Sequence, residues 1–118
     1  MNAPFALNIK EVRAASCVFE IYMAGDINDA KRELAKIASE LGACWSVDST
    51  EYIYSGGREL GFVVRTINYP RFPKPISQLE EEAVTTAKKL MKKLGQGSCS
   101  VVGPEETVWL TRRKEDTQ

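Results

Sequence analysis

The chain has 118 residues, 43% of them apolar and 27% charged, with sixteen basic residues balanced by sixteen acidic ones. That describes one domain able to bury a core without metal or disulfide staples, and its neutrality removes the global attraction to phosphate on which dedicated nucleic-acid binders rely. Histidine is absent, which excludes Ser-His-Asp and Cys-His hydrolases, histidine-based phosphodiesterases and His-containing zinc sites.

Residues 1–15 lack a basic leader region, and Pro4, Asn8 and Lys10 break any apolar run, so they read as an N-terminal arm or short helix packed on the domain. The domain itself spans residues 16–111. A first strand at 16–24 alternates, with Cys17, Phe19, Ile21 and Met23 on one face and Val18, Glu20 and Tyr22 on the other. A helix follows over Ile27–Leu41, with Asp26 or Asn28 as N-cap. Its apolar residues Ile27, Ala30, Leu34, Ile37 and Leu41 form one stripe, and Gly42 stops it.

Two strand-like runs at 43–55 and 58–69 flank Gly56-Gly57, a pair suited to a two-residue hairpin turn because both positions accept positive φ. That turn would pair Tyr54 with Glu59 and Ile53 with Leu60. One face of the hairpin then offers Ile53, Leu60, Phe62 and Val64 to the helices. The other carries Tyr52, Tyr54, Glu59, Val63, Arg65 and Ile67.

Pro70, Pro73 and Pro75 make the next segment an extended connection. A second helix begins with the capping box Ser77-Gln78-Leu79-Glu80, carries the stripe Leu79, Ala83, Ala87, Leu90 and Leu94, and ends at Gly95. Ser98–Val102 and Thr107–Thr111 are short strands, and residues 112–118 form a charged, flexible tail. The order β-α-β-β-α-β plus a C-terminal strand, with both helices on one side, is a ferredoxin-like α/β sandwich with the first and third strands central.

Chemical motifs are scarce. Cys17, Cys44 and Cys99 are odd in number, far apart and without a C-x-x-C pair, so they read as small hydrophobes in a reducing cytoplasm. Lys88, Lys89, Lys92 and Lys93 follow Glu80, Glu81 and Glu82 along the second helix, the distribution that complements a helix dipole. No carboxylates are spaced as an acid–base pair, and no catalytic, cofactor-binding or metal-ligating residue is nominated. The candidate binding surface is Tyr22, Tyr52, Tyr54, Val63, Arg65 and Ile67 on the helix-free sheet face, with Tyr69, Arg71 and Phe72 on the proline-stiffened loop. Aromatic side chains beside charges are the mixture enriched at protein interfaces.

Exposed sheet aromatics also stack single-stranded bases in RNA modules. Ile21-Tyr22-Met23-Ala24-Gly25 resembles the first-strand motif of RNA-recognition-motif domains, but Leu60-Gly61-Phe62-Val63-Val64-Arg65 lacks the interleaved aromatics that family carries on its third strand. The series FEIYMAGD, YIYSGGRELGFVV, INYPRFP and TVWL resembles small bacteriophage and prophage proteins. That resemblance implies an accessory role in the cytoplasm of a bacterial host. The expectation is therefore a non-enzymatic, phage-type accessory protein that binds a protein, a host or antiviral-defence factor it inhibits, or forms a homodimer. The open face would then be covered by the arm, a second copy or the target. A single-stranded nucleic-acid module on the open sheet is the alternative, and neutral charge weighs against it.

Overall fold

The computed structural model describes residues 7–114. Five strands, β1 (Val18–Ala24), β2 (Ser46–Tyr54), β3 (Gly57–Ile67), β4 (Ser98–Val102) and β5 (Thr107–Thr111), form one antiparallel sheet in the order β2-β3-β1-β4-β5. Helices α1 (Ile27–Leu41) and α2 (Ile76–Leu94) cover one side of it. This is the ferredoxin-like sandwich, with β1 and β3 central.

Local chemistry explains the helix ends. Asp26 accepts hydrogen bonds from the backbone N–H groups of Asn28 and Asp29 at 2.8 and 3.1 Å, satisfying two of the donors a helix start leaves unpaired. Gly42 and Gly95 close the two helices at φ 63° and 68°, the left-handed geometry that glycine adopts without a Cβ penalty. The capping box expected at Ser77 does not form. The N-cap is Pro75, two residues before Ser77, with no side-chain cap, so Ser77 lies inside the first turn rather than at its cap.

The core lies between helices and sheet: Ile21, Met23, Phe62, Val64, Val101, Ile37 and Leu90 are all almost completely buried. The hairpin departs from the expected turn. Its two-residue loop is Ser55-Gly56, pairing Tyr54 with Gly57, Ile53 with Arg58 and Tyr52 with Glu59. Of the two loop residues only Gly56 takes a positive φ, 88°. Gly57 instead sits in the strand under the Tyr54 ring, where an added Cβ would lie 2.9 Å from the ring. The register therefore differs by two residues from the Gly56-Gly57 hairpin. Side chains alternate with period two, so an even slip leaves every residue on its expected face.

Face and burial part company at the hairpin's far end. Ile53 and Leu60 point to the helix side but are 73% and 75% exposed, because β2 and β3 outrun the helix layer. They are not core residues.

The arm shows no helix over its described part, and Leu7, Ile9 and Val12 are exposed rather than packed on the domain; its first six residues lie outside the described residues. At the other end the Arg112 N–H donates to the Gly97 carbonyl at 2.8 Å. Residues 115–118 of the expected tail lie outside the described residues.

Candidate functional site

Two regions concentrate polar chemistry: the helix-free face, and a cavity at the end of the sheet opposite the hairpin turn. On the face, the register sets Glu20 opposite Arg65 and Tyr22 opposite Val63 across β1 and β3, while β2 brings Asp48 opposite Val63. Arg65 links the three strands. Its Nε donates to Glu20 at 2.7 Å and its Nη1 to Asp48 at 2.6 Å. Tyr22 donates to the other Glu20 oxygen at 3.1 Å. Such charge-assisted bonds are stronger and more directional than neutral ones, and they leave the trio of Arg65, Glu20 and Asp48 with one net negative charge.

The phenols here remain protonated donors. The hydrogen bond to Glu20, with some burial, holds Tyr22 above its ordinary pKa, and the bond to Glu59 does the same for Tyr54. Burial raises Tyr52. The Tyr52 hydroxyl donates to the Phe62 carbonyl at 2.6 Å, and its ring lies where a Cβ on Gly61 would be, 2.5 Å away. The missing side chain at Gly61 thus creates the slot that orients Tyr52. Glu20 holds the Arg65 guanidinium above its usual range, with Asp48 adding to the effect.

At the opposite end, a cavity of about 560 Å³ is bounded by the link between α1 and β2, the end of β3, the connection after it and α2. Its lining includes Cys44, Ile67, Tyr69, Arg71, Phe72 and Leu79. Arg71 stacks over the Phe72 ring at 5.1 Å. The Tyr69 phenol is pushed up mainly by its hydrogen bond to the Cys44 thiol, with burial contributing. One wall is an ion pair: Lys74 Nζ donates to both Glu82 oxygens at 2.9 and 3.1 Å and to the Gly42 carbonyl at 3.2 Å. A cation there also complements the C-terminus of α1.

The nine nominated residues therefore fall into two groups. Tyr22, Tyr52, Tyr54, Val63 and Arg65 share the open face; Tyr69, Arg71 and Phe72 line the cavity, with Ile67 joining them from the end of β3. Val63 is only 5% exposed, wedged between Tyr22 and Asp48, and offers no binding surface. Asp48, Cys44, Lys74 and Glu82 carried no nomination from sequence. Glu20 and Tyr22, two apart on one strand, gave the one local signal of the face cluster. Nothing local marks Lys74 and Glu82, which meet only through the connection and α2. No group of three or more metal-ligating side chains occurs among the described residues, and no described helix is long and apolar enough to cross a membrane.

No family model and no curated protein matches the sequence. Among solved structures, a phage SAM lyase in its apo state superposes with a TM-score of 0.69 at 14% identity, covering 90% of this chain and 98% of that one. A phage SAM lyase in complex with S-methyl-5′-thioadenosine gives 0.60 at 15% identity, covering 93% and 98%. The likeness shows a shared fold along nearly the whole length of both chains. It also overturns the expectation of a non-enzymatic protein that binds and inhibits a host or defence factor, since both of these solved structures that share the fold along nearly their whole length are of an enzyme.

Proposed function

We propose that this protein is a phage-type lyase acting on S-adenosylmethionine or a closely related adenosyl sulfonium, bound on the open sheet face. The observation that carries this reading is the match of the whole fold to SAM lyases, one of them holding S-methyl-5′-thioadenosine. The chemistry of the face supports it. Sulfonium and ammonium groups are cations, and aromatic rings attract a ligand cation by about 0.5–2 kcal/mol depending on desolvation. Tyr22, Tyr52 and Tyr54 offer rings, and Glu20, Asp48 and Glu59 offer carboxylates beside them. Arg65 can pair with the substrate's own carboxylate.

The reaction also fits the residues present. When the carbon–sulfur bond of a sulfonium breaks, both electrons go to sulfur, which leaves as a neutral thioether and needs no proton. The carbon fragment then either takes an electron pair from a nucleophile within the substrate, such as its own carboxylate, or loses a neighbouring proton to a carboxylate of the face such as Glu20. Neither course requires histidine. Holding the substrate in a reactive conformation is itself worth several kcal/mol of barrier.

The test is incubation of the purified protein with S-adenosylmethionine, with chromatographic measurement of S-methyl-5′-thioadenosine against a protein-free control. Accumulation well above the control is expected, with Tyr52→Ala and Glu20→Gln at least tenfold slower. A rate equal to the control at all protein concentrations overturns the proposal.

A further inference from the structure

We infer that residues 7–12 of one copy insert into the Tyr69–Phe72 cavity of a second copy, so that the protein assembles by exchanging its N-terminal arms. This inference is independent of the substrate assigned to the open face.

Two of the apolar surfaces that the described residues leave exposed are complementary. The arm exposes Leu7 by 75%, Ile9 by 73% and Val12 by 62%. Three aliphatic side chains within one six-residue segment, held in water, are the kind of surface that marks an interaction site. The cavity presents Ile67, Phe72 and Leu79 around a volume of about 560 Å³, within the range of roughly 300–1,000 Å³ that accommodates ligands and side-chain anchors.

The arm is rooted at the rim of that same cavity. Asn68, which sits between the lining residues Ile67 and Tyr69, donates from its side chain to the Ala15 carbonyl at 3.0 Å and from its backbone to the Cys17 carbonyl at 3.0 Å. Its side-chain oxygen accepts from the Lys74 N–H at 2.9 Å. One buried asparagine thus fixes both the exit of the arm and the loop that walls the cavity.

The geometry favours a second copy over the arm's own cavity. Residues 7–13 are all exposed although the cavity lies beside their anchor. Fully extended, residues 7–15 would span at most about 30 Å from the anchor, a length that can cross to a neighbouring molecule. Exchange of an identical segment between protomers is a low-cost route to assembly because it needs no new surface on either partner.

The native cysteine in the cavity makes the test direct. Cys44 is exposed there, while Cys17 and Cys99 are buried. The Ile9→Cys/Cys44→Ser protein is refolded together with wild type and mildly oxidised, so that a bond between position 9 and Cys44 can form only between two copies. A disulfide-linked pair on a non-reducing gel, its linkage confirmed by mass spectrometry of the joined peptide, is expected. Ile9→Asp should lower self-association at least tenfold in sedimentation velocity while leaving the thermal melt of the domain unchanged. Absence of the mixed link overturns the inference. So does a link that persists when Cys44 is replaced in both proteins, or an efficient disulfide between position 9 and Cys44 within single chains of the Ile9→Cys protein.

Discussion

On the helix-covered face, Ile21, Met23, Phe62, Val64 and Val101 are almost completely buried and wholly apolar, whereas one strand-thickness away the opposite face carries Glu20, Tyr22, Asp48, Tyr52 and Arg65 on the same sheet. The covered face is determined by packing, which tolerates many apolar combinations of the right volume. The open face is not needed to exclude water from the core. Its charges must be held by one another, through Arg65, to sit as close as they do. A cluster that folding does not require, assembled from three strands, is where function is to be sought.

The largest expected effect lies on the covered face. Phe62→Ala removes a fully buried ring beneath the helices and should cost about 3–5 kcal/mol, with Leu90→Ala at about 2–5 kcal/mol. Chemical denaturation measures both. By contrast, Arg65→Met should leave the melting temperature close to wild type while carbon–sulfur cleavage falls at least tenfold, since Arg65 is partly solvated and bonds to the surface carboxylates of Glu20 and Asp48. A large loss of stability in Arg65→Met would erase the distinction between the faces.

Gly61 lies on the open face against the β1 backbone, and Gly61→Ala probes how the open face couples to the sheet. A Cβ there would lie 2.5 Å from the Met23 carbonyl oxygen and 2.5 Å from the Tyr52 ring. The backbone contact cannot yield as a flexible side chain could, so the β1–β3 spacing must widen. The expected cost is about 1–3 kcal/mol, together with displacement of Tyr52, read as a change in tyrosine fluorescence or in the Tyr52 ring resonances. Unchanged stability with unchanged Tyr52 signals would show that the slot is looser than its geometry.

The fold was legible because its signals are local and agree with one another. The stripe Ala30, Leu34 and Ile37, the stops at Gly42 and Gly95, and the alternation from Cys17 to Met23 each appear within a single element. What sequence could not supply is relational. Alternation places Ile53 and Leu60 on the helix side but cannot say where the helices stop. Asp48 joins Arg65 only through the hairpin register, and Lys74 meets Glu82 only through the proline-rich connection. The functional expectation rested on a search for histidines and paired carboxylates, which presupposes a reaction that moves protons; the carbon–sulfur cleavage proposed above puts no proton on the departing thioether.

On the covered face, alkaline pH probes a single thiol, with a smaller effect. Burial pushes the Cys99 thiol up to about 11 from its ordinary value of 9.0. Below about pH 9 the thiol is neutral in both folded and unfolded chains, so its full contribution to stability is present. Between about 9 and 11 the unfolded chain ionises while the folded one resists, and that contribution is lost as pH rises, on the order of 2 kcal/mol by the upper end. Urea midpoints at pH 8 and pH 10.5 should therefore converge in Cys99→Ala relative to wild type. Equal pH slopes in the two proteins would place Cys99 in contact with water.

The smallest effect is the sharpest test of where the covered face ends. Leu60 and Leu90 are the same residue type, both on the helix side of the sheet plane, yet one is 75% exposed and the other fully buried. Hydrophobic stabilisation follows area removed from water, not the direction a side chain points. Leu60→Ser should accordingly change stability by no more than about 0.5 kcal/mol, the range typical of surface substitutions, against the several kcal/mol of Leu90→Ala. The Arg58–Glu51 pair beside it, bidentate at 2.8 and 3.2 Å but solvated, adds little, as exposed ion pairs contribute about 0.2–1 kcal/mol. If Leu60→Ser instead costs more than about 2 kcal/mol in dilute solution, well outside the surface range, the hairpin end is covered by another part of the assembly. The cost should then depend on protein concentration, because stability supplied by a second copy follows mass action.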